Sequence, residues 1–387
     1  MILKKSSTLA PVFIIVFTLA LNVAFVFEQE AKPTTGFFRH NAAFDSSRFL
    51  NEAKIIEEDG FYASSGKRRL PPAYPLLIAA FNYIFGSNGS APLIFQAMLN
   101  TGSLALIYFI SSVLFGRVPA LIAIAVSALY GPFVFYGGMY LRASLVTFES
   151  LAVVALLLAG RKKAFWNVLA GIMTALLTLT RPYPLIVLAA HGWLVHKLVQ
   201  NRNKREAYKI FSFVAAFVIV ILIFSPTQRF KADSPQRAPE SNYTNAIAHF
   251  LSGNVLDSNY GYTWGDTPIK VKLLEKSGGS LTKGALLIFS EIFKNPWDYA
   301  KFYYKKIKIF VGGFEPPSNY NFYLFKDELS LVLWAPFISL GWIVPFTLLG
   351  LWEGRSQSRN ISILYIWISA LALSIFIFPI QSRYRLP

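Results

Sequence analysis

The sequence predicts an all-α fold, a polytopic transmembrane helical bundle of about nine spans with two long extracytoplasmic segments. Three observations carry that expectation. The 387 residues are 54% hydrophobic and only 15% charged, too apolar for an ordinary soluble domain. Apolar runs long enough for the roughly 20 residues of a bilayer crossing recur along the chain. These runs are continuous rather than alternating, which favours helices over a barrel, since only those two structures satisfy every backbone group in hydrocarbon.

The first run, Leu9 to Phe27, follows Lys4 and Lys5. It exceeds a signal-peptide core and lacks a small-x-small cleavage site, so it reads as an uncleaved span. The others are Leu93 to Phe115, Val118 to Phe135, Leu141 to Ala159, Phe165 to Leu179, Leu185 to Val199, Ile210 to Ser225, Leu329 to Trp352 and Ile361 to Phe378. Pro71 to Phe85 is apolar but short, and reads as an interfacial or re-entrant helix. If it crossed, the later basic links would face outward.

Positive charge marks the cytoplasmic side of short links. With the N-terminus inside, the cytoplasmic links hold Arg117; Arg161, Lys162 and Lys163; Lys197, Arg202, Lys204, Arg205 and Lys209; and Arg355 and Arg359. The opposite links, Tyr136 to Tyr140 and Thr180 to Pro184, carry only Arg181. The chain then divides into an N-terminal membrane module (1–225) with a first outer loop (28–92), an extracytoplasmic segment (226–328), and a C-terminal membrane part (329–387). In the second outer segment, Gly284 to Phe293 and Trp297 to Val311 look helical, as a structured cap would.

The formal charge of +17 favours anionic lipid surfaces and phosphate-bearing ligands. Nucleic acid is the weaker reading, because the basic residues flank apolar spans instead of striping a soluble domain. With no cysteine, disulfides, iron–sulfur clusters and thiolate catalysis are excluded. The four histidines lack metal-ligand spacing, and no nucleotide or hydrolase motif is present.

Chemistry-bearing residues gather on the outer side. Asp45, in HNAAFDSSRF, fits a helix N-cap or a catalytic carboxylate over a membrane-level pocket, and the roles are compatible. Arg142 and Arg181 sit at outer span ends, where an arginine snorkels to headgroups; together with Arg383 and Arg385 of QSRYRLP they also fit a phosphate-binding cluster. Glu149, within a span, is either a functional ionisable group or a hydrogen-bonded packing residue. Glu315, before Pro-Pro in a rigid loop, and Tyr384 complete the set.

These segments, with RRLPPAYPLLIAAFNYIFG, LIFQAMLNTGSLALIYFISSVLFG, AGIMTALLTLTRPYPLIVL and NPWDYAKFYYKKIKIFVGGFEPPSNYNFY, resemble in their order the C-type glycosyltransferase superfamily. The bacterial relatives of protein O-mannosyltransferases and of lipid A aminoarabinose transferases are the nearest in kind. The resemblance implies a polyprenyl-phosphate sugar donor, inverting transfer on the extracytoplasmic face of a cell membrane, Asp45 as general base, and Arg181, Arg383 and Arg385 at the donor phosphate. The acceptor stays open among lipid, glycan and protein. Relatives often carry a second acid near the first-loop Asp, whereas here Ser46 follows, so no metal and no cofactor is expected. The chain also stops at Pro387 where relatives continue, which reads as truncation. A transporter or flippase of an anionic or lipid-linked solute, and a non-catalytic membrane assembly subunit, are the competing expectations.

Overall fold

The computed structural model describes every residue except Met1, Ala43, 63–69, 87–88, 161–162, Tyr183, Arg202, 225–241, 259–266, 318–319, 356–360, Ser382, Tyr384 and Pro387. The described residues form an all-helical membrane bundle with no strand; one isolated bridge joins Tyr130 to Ile338. Among the described residues, three helices are long and apolar enough to cross a membrane: the Leu9–Glu30 part of α1 (Ile2–Glu30), α5 (Ala91–Phe115) and α11 (Lys204–Phe224). Their outward residues, such as Phe13, Met98 and Phe211, are exposed, as lipid-facing side chains are.

Shorter apolar helices pack with them: α6 (Arg117–Ala128), α8 (Ala143–Ala159), α9 (Phe165–Thr180), α10 (Pro184–Asn201), α17 (Leu340–Gly354) and α18 (Ser362–Ile377). Val153, Leu157, Leu177, Trp193, Phe213 and Trp367 form a core shared by α8, α9, α10, α11 and α18. Two expected spans are corrected. Val118 to Phe135 breaks at Leu129–Tyr130 and resumes as α7 (Gly131–Gly137), because Pro132 favours a new first turn and Tyr130 stays extended. Leu329 to Trp352 becomes α-helical only at Leu340, after a single 3-10 turn at Val332–Trp334; Ala335 lies outside the α region ahead of Pro336, which disfavours the α conformation before it.

Polar residues inside the spans organise the reversal after α7. Asn100 donates to the Phe133 carbonyl (2.7 Å) and to Asn22 (3.0 Å), while Gln96, one turn earlier on the same face, donates to Gly137 (3.1 Å) and Met139 (2.7 Å). Gly137 leaves no room for a side chain where Asn22 and Asn100 close in. This fixes residues 137–142, and with them the start of α8.

The segment between α1 and α5 folds into α2 (Pro33–His40), α3 (Asp45–Asp59) and α4 (Ala73–Phe85). Helix α4 is the short Pro71 to Phe85 segment; it buries Tyr74 and Ile78 in a core shared with Phe49, Phe135, Tyr140, Tyr320 and Phe325. The segment after α11 supplies α12 (Asn242–Asn254), α13 (Pro268–Ser277), α14 (Leu281–Lys294) and α15 (Pro296–Val311), of which the first three share a small core around Ile247, Leu251, Leu273 and Ile288. A loop containing α16 (Phe322–Leu324) and a π-turn then returns to α1, where Gln29 and Lys32 donate to the Leu329 carbonyl (3.1 and 2.7 Å).

Candidate functional site

Asp45 is the first residue of α3, after the extended Phe44, and its side chain caps nothing. It is held instead by Arg383, whose Nη1 lies 2.6 Å from Oδ2 although 338 residues separate the two. Both side chains are mostly buried, at 13% and 23% exposure. Burial pushes the Asp45 carboxyl up, but the charge and hydrogen bond of Arg383, with Arg142 and Arg48 behind, outweigh it and hold the group below its ordinary value. Asp45 is therefore ionised at neutral pH.

The next turn of the site is set by Ser46, which donates to the Tyr140 carbonyl (3.1 Å), and by the Tyr320 hydroxyl, which contacts Ser46 Oγ and the Phe38 carbonyl (3.0 Å). These bonds join α3 to the segment after α7 and to the loop at 320. The start of α3 thus rests against two other segments of the chain rather than on its own capping.

Arg142 and Arg181 occupy matching places, the N-cap of α8 and the C-cap of α9. Arg142 donates to the Thr180 carbonyl (3.0 Å) and lies 5.6 Å from the centre of the Phe49 ring. Glu149, in the second turn of α8, accepts from the Thr180 hydroxyl (2.9 Å). Thr180 therefore links Glu149 to Arg142, whose charge acts on Asp45.

One member of the cluster escapes the sequence reading. His249 on α12 is partly buried, and burial together with the charges of Arg181, Arg142 and Arg383 lowers it to about 4, with Asp45 opposing. It is a neutral imidazole at neutral pH. No spacing in the sequence ties it to Asp45 or the arginines; the fold of the cap does. The Asn254 amide donates to the Ile377 carbonyl (2.7 Å), Lys306 of α15 donates to the Gly253 carbonyl (2.6 Å), and Tyr303 bonds Asn254 (3.0 Å). Helix α12 is thereby pinned to the end of α18, four residues before Gln381, which steadies Arg383 through its Nε (2.7 Å).

Glu315 forms a separate centre. It pairs with Arg385 at 3.3 Å, both side chains almost fully buried, and accepts from the Tyr130 hydroxyl at 3.1 and 3.2 Å. Burial raises the Glu315 carboxyl, and Arg385, Tyr130 and the Leu340 amide offset part of that. Arg385 also donates to the carbonyls of Phe314 (2.9 Å), Gly312 and Ile309. Asp45 and Glu315 thus share no partner; each takes its own arginine from the 383–385 segment. Tyr384, between those arginines, lies outside the described residues, as do Arg161, Lys162, Arg202 and Arg359 of the basic links. Among the described residues, no three His, Asp or Glu come together as a metal site.

Residues 69–228 match the family model described as dolichyl-phosphate-mannose-protein mannosyltransferase, consistent with the relationship to protein O-mannosyltransferases read from the sequence. No curated protein and no solved structure matches the chain. The matched region contains Arg142, Glu149 and Arg181, while Asp45, Arg383 and Arg385 fall outside it.

Proposed function

We propose that this chain is a membrane glycosyltransferase that moves a sugar from a polyprenyl-phosphate donor to an acceptor hydroxyl on the extracytoplasmic face, with inversion. The observation that carries the reading is an ionised carboxylate, Asp45, set against Arg383 and within the field of Arg142, which caps one apolar helix while Arg181 caps the end of its neighbour. The match over residues 69–228 supports the same class of donor.

In this mechanism the acceptor hydroxyl loses its proton to Asp45 as its oxygen attacks the anomeric carbon. The bond from that carbon to the phosphate oxygen breaks, and its electron pair leaves with the lipid phosphate. Cationic stabilisation of the departing phosphate matters more than an acid, and Arg142, Arg181 and Arg383 supply it. Arg383 has two employers. When a donor phosphate draws it away, Asp45 loses its main counter-charge and becomes a stronger base at the moment an acceptor needs one. Arg385, committed to Glu315 and backbone carbonyls, serves as framework in this reading and leaves phosphate contact to the other three.

The outer face follows from the basic links Arg117, Lys163, Lys197, Lys204, Arg205, Lys209 and Arg355, which belong on the cytoplasmic side. The deciding experiment follows labelled sugar from a polyprenyl-phosphate donor into acceptor in membranes, comparing the wild type with Asp45→Asn. Loss of transfer with donor binding retained is expected. Undiminished transfer by the variant overturns the role of Asp45, and movement of intact donor across vesicles without sugar transfer favours a flippase.

A further inference from the structure

Helix α14 has two apolar faces, and only one of them is used inside the protein. Ile288 is buried, and Leu287 and Ile292 pack beside it against Ile247, Leu251 and Leu273 of the cap. The other face carries Leu286, Phe289 and Phe293, spaced three and four residues apart so that they form one stripe. They are 64%, 57% and 83% exposed, and Trp297, just past the corner into α15, is 79% exposed. Contiguous aromatic surface of this kind marks a contact site on a soluble face.

Two observations say what covers it. The first is charge. Lys283 and Lys294 flank the stripe, and Lys301 and Lys308 continue along α15, while the acids within these two helices are Glu291 and Asp298. The acids neutralise Lys294 (2.9 Å) and reach Lys301 (3.9 Å), which leaves the surface strongly basic around an aromatic centre. That combination suits the boundary of an anionic bilayer, where rings sit at headgroup level and lysines reach phosphates.

The second is depth. A cleft of about 350 Å³ is lined by Phe289, Ile288 and Ile292 of α14 together with Leu373 and Ile377 of α18. Phe289 of the open stripe therefore stands level with the last turn of an apolar helix. At the other end of α15, Gly313 abuts Gly341 at the start of α17, closely enough that a Cβ on Gly341 would meet the Gly313 nitrogen at 2.9 Å. The α14–α15 unit is thus moored to the ends of two bundle helices.

We propose that the α14–α15 corner is a membrane-interface anchor: Leu286, Phe289, Phe293 and Trp297 enter the leaflet beside the site, and the lysines hold anionic phospholipid headgroups. The anchor does not depend on the transferase reading. It would seat the cap, and His249 with it, at a fixed height above the bundle.

The absence of cysteine makes the test direct. Nitroxide labels are placed at Phe293→Cys and Trp297→Cys in the full chain, in nanodiscs of phosphatidylcholine with about one quarter phosphatidylglycerol. Leu348→Cys serves as the lipid-facing control and Lys276→Cys as the water-facing one. Oxygen should collide with both anchor labels more often than a water-soluble nickel chelate does, as at Leu348. Omitting phosphatidylglycerol should lower that preference by about two- to fivefold. Labels that prefer the nickel chelate, as at Lys276, overturn the proposal. So do labels shielded from both reagents, which would mean a second copy or a protein partner. An unchanged preference without phosphatidylglycerol overturns the headgroup half.

Discussion

Replacing Arg383 with Gln removes the strongest influence opposing burial at Asp45 while leaving Arg142 and Arg48 in place. A hydrogen bond between charged partners contributes about 1.5–3 kcal/mol, so with Arg383 gone burial should push the Asp45 carboxyl up. In the wild type the acidic limb of kcat/KM for sugar transfer should lie below the ordinary 3.8. In Arg383→Gln it should move to higher pH, whatever happens to the overall rate through weaker phosphate binding. Stability gives a second readout with a fixed sign. Because the folded value of Asp45 is depressed, its stabilisation is present above 3.8 and is lost as pH falls through the folded value. The gap in Tm between wild type and variant should therefore be full near neutrality and close in acid. Coincident limbs, or a gap that persists unchanged into strong acid, would refute the control of Asp45 by Arg383.

Three other outcomes are expected. Glu315→Gln strands a buried guanidinium and should cost about 3–5 kcal/mol in chemical denaturation, part of which Arg385→Met in the same chain should restore; additive losses would deny the pair its coupling. Gly253→Ala places a Cβ 2.7 Å from the Phe378 carbonyl carbon, so about 1–3 kcal/mol of overpacking and a fall in transfer through displaced Arg383 are expected, and wild-type kinetics would show that the cap does not set the site. Transfer should survive chelation, since Asp45 is matched with an arginine rather than a second acid; activity abolished by chelator and restored by Mg²⁺ would show the opposite.

The helices were largely legible because hydrocarbon leaves apolar runs few alternatives. The two misplaced spans failed at prolines, Pro132 and Pro336, where a hydropathic run continues but the backbone cannot. Asp45, Arg142 and Arg181 were visible as ionisable groups at span ends, and the resemblance suggested their use. The pairing was not legible. Nothing local to SRYRLP says that Arg383 turns to Asp45 and Arg385 to Glu315, since contacts across 338 and 70 residues are written in tertiary packing. His249 was invisible for the same reason: its neighbours come from four other segments.

The long reach of Arg383 to Asp45 also orders events during biosynthesis. At roughly 5–20 residues per second, the ribosome needs on the order of twenty seconds to a minute to travel from one partner to the other. During that interval the N-terminal module gains Arg142, Arg181 and helices α5 to α11, yet throughout it lacks the Arg383 guanidinium that pairs with Asp45. In the proposed mechanism, nascent chains stalled before residue 383 should therefore transfer sugar poorly, and full activity should follow once the 383–385 segment closes on both acids.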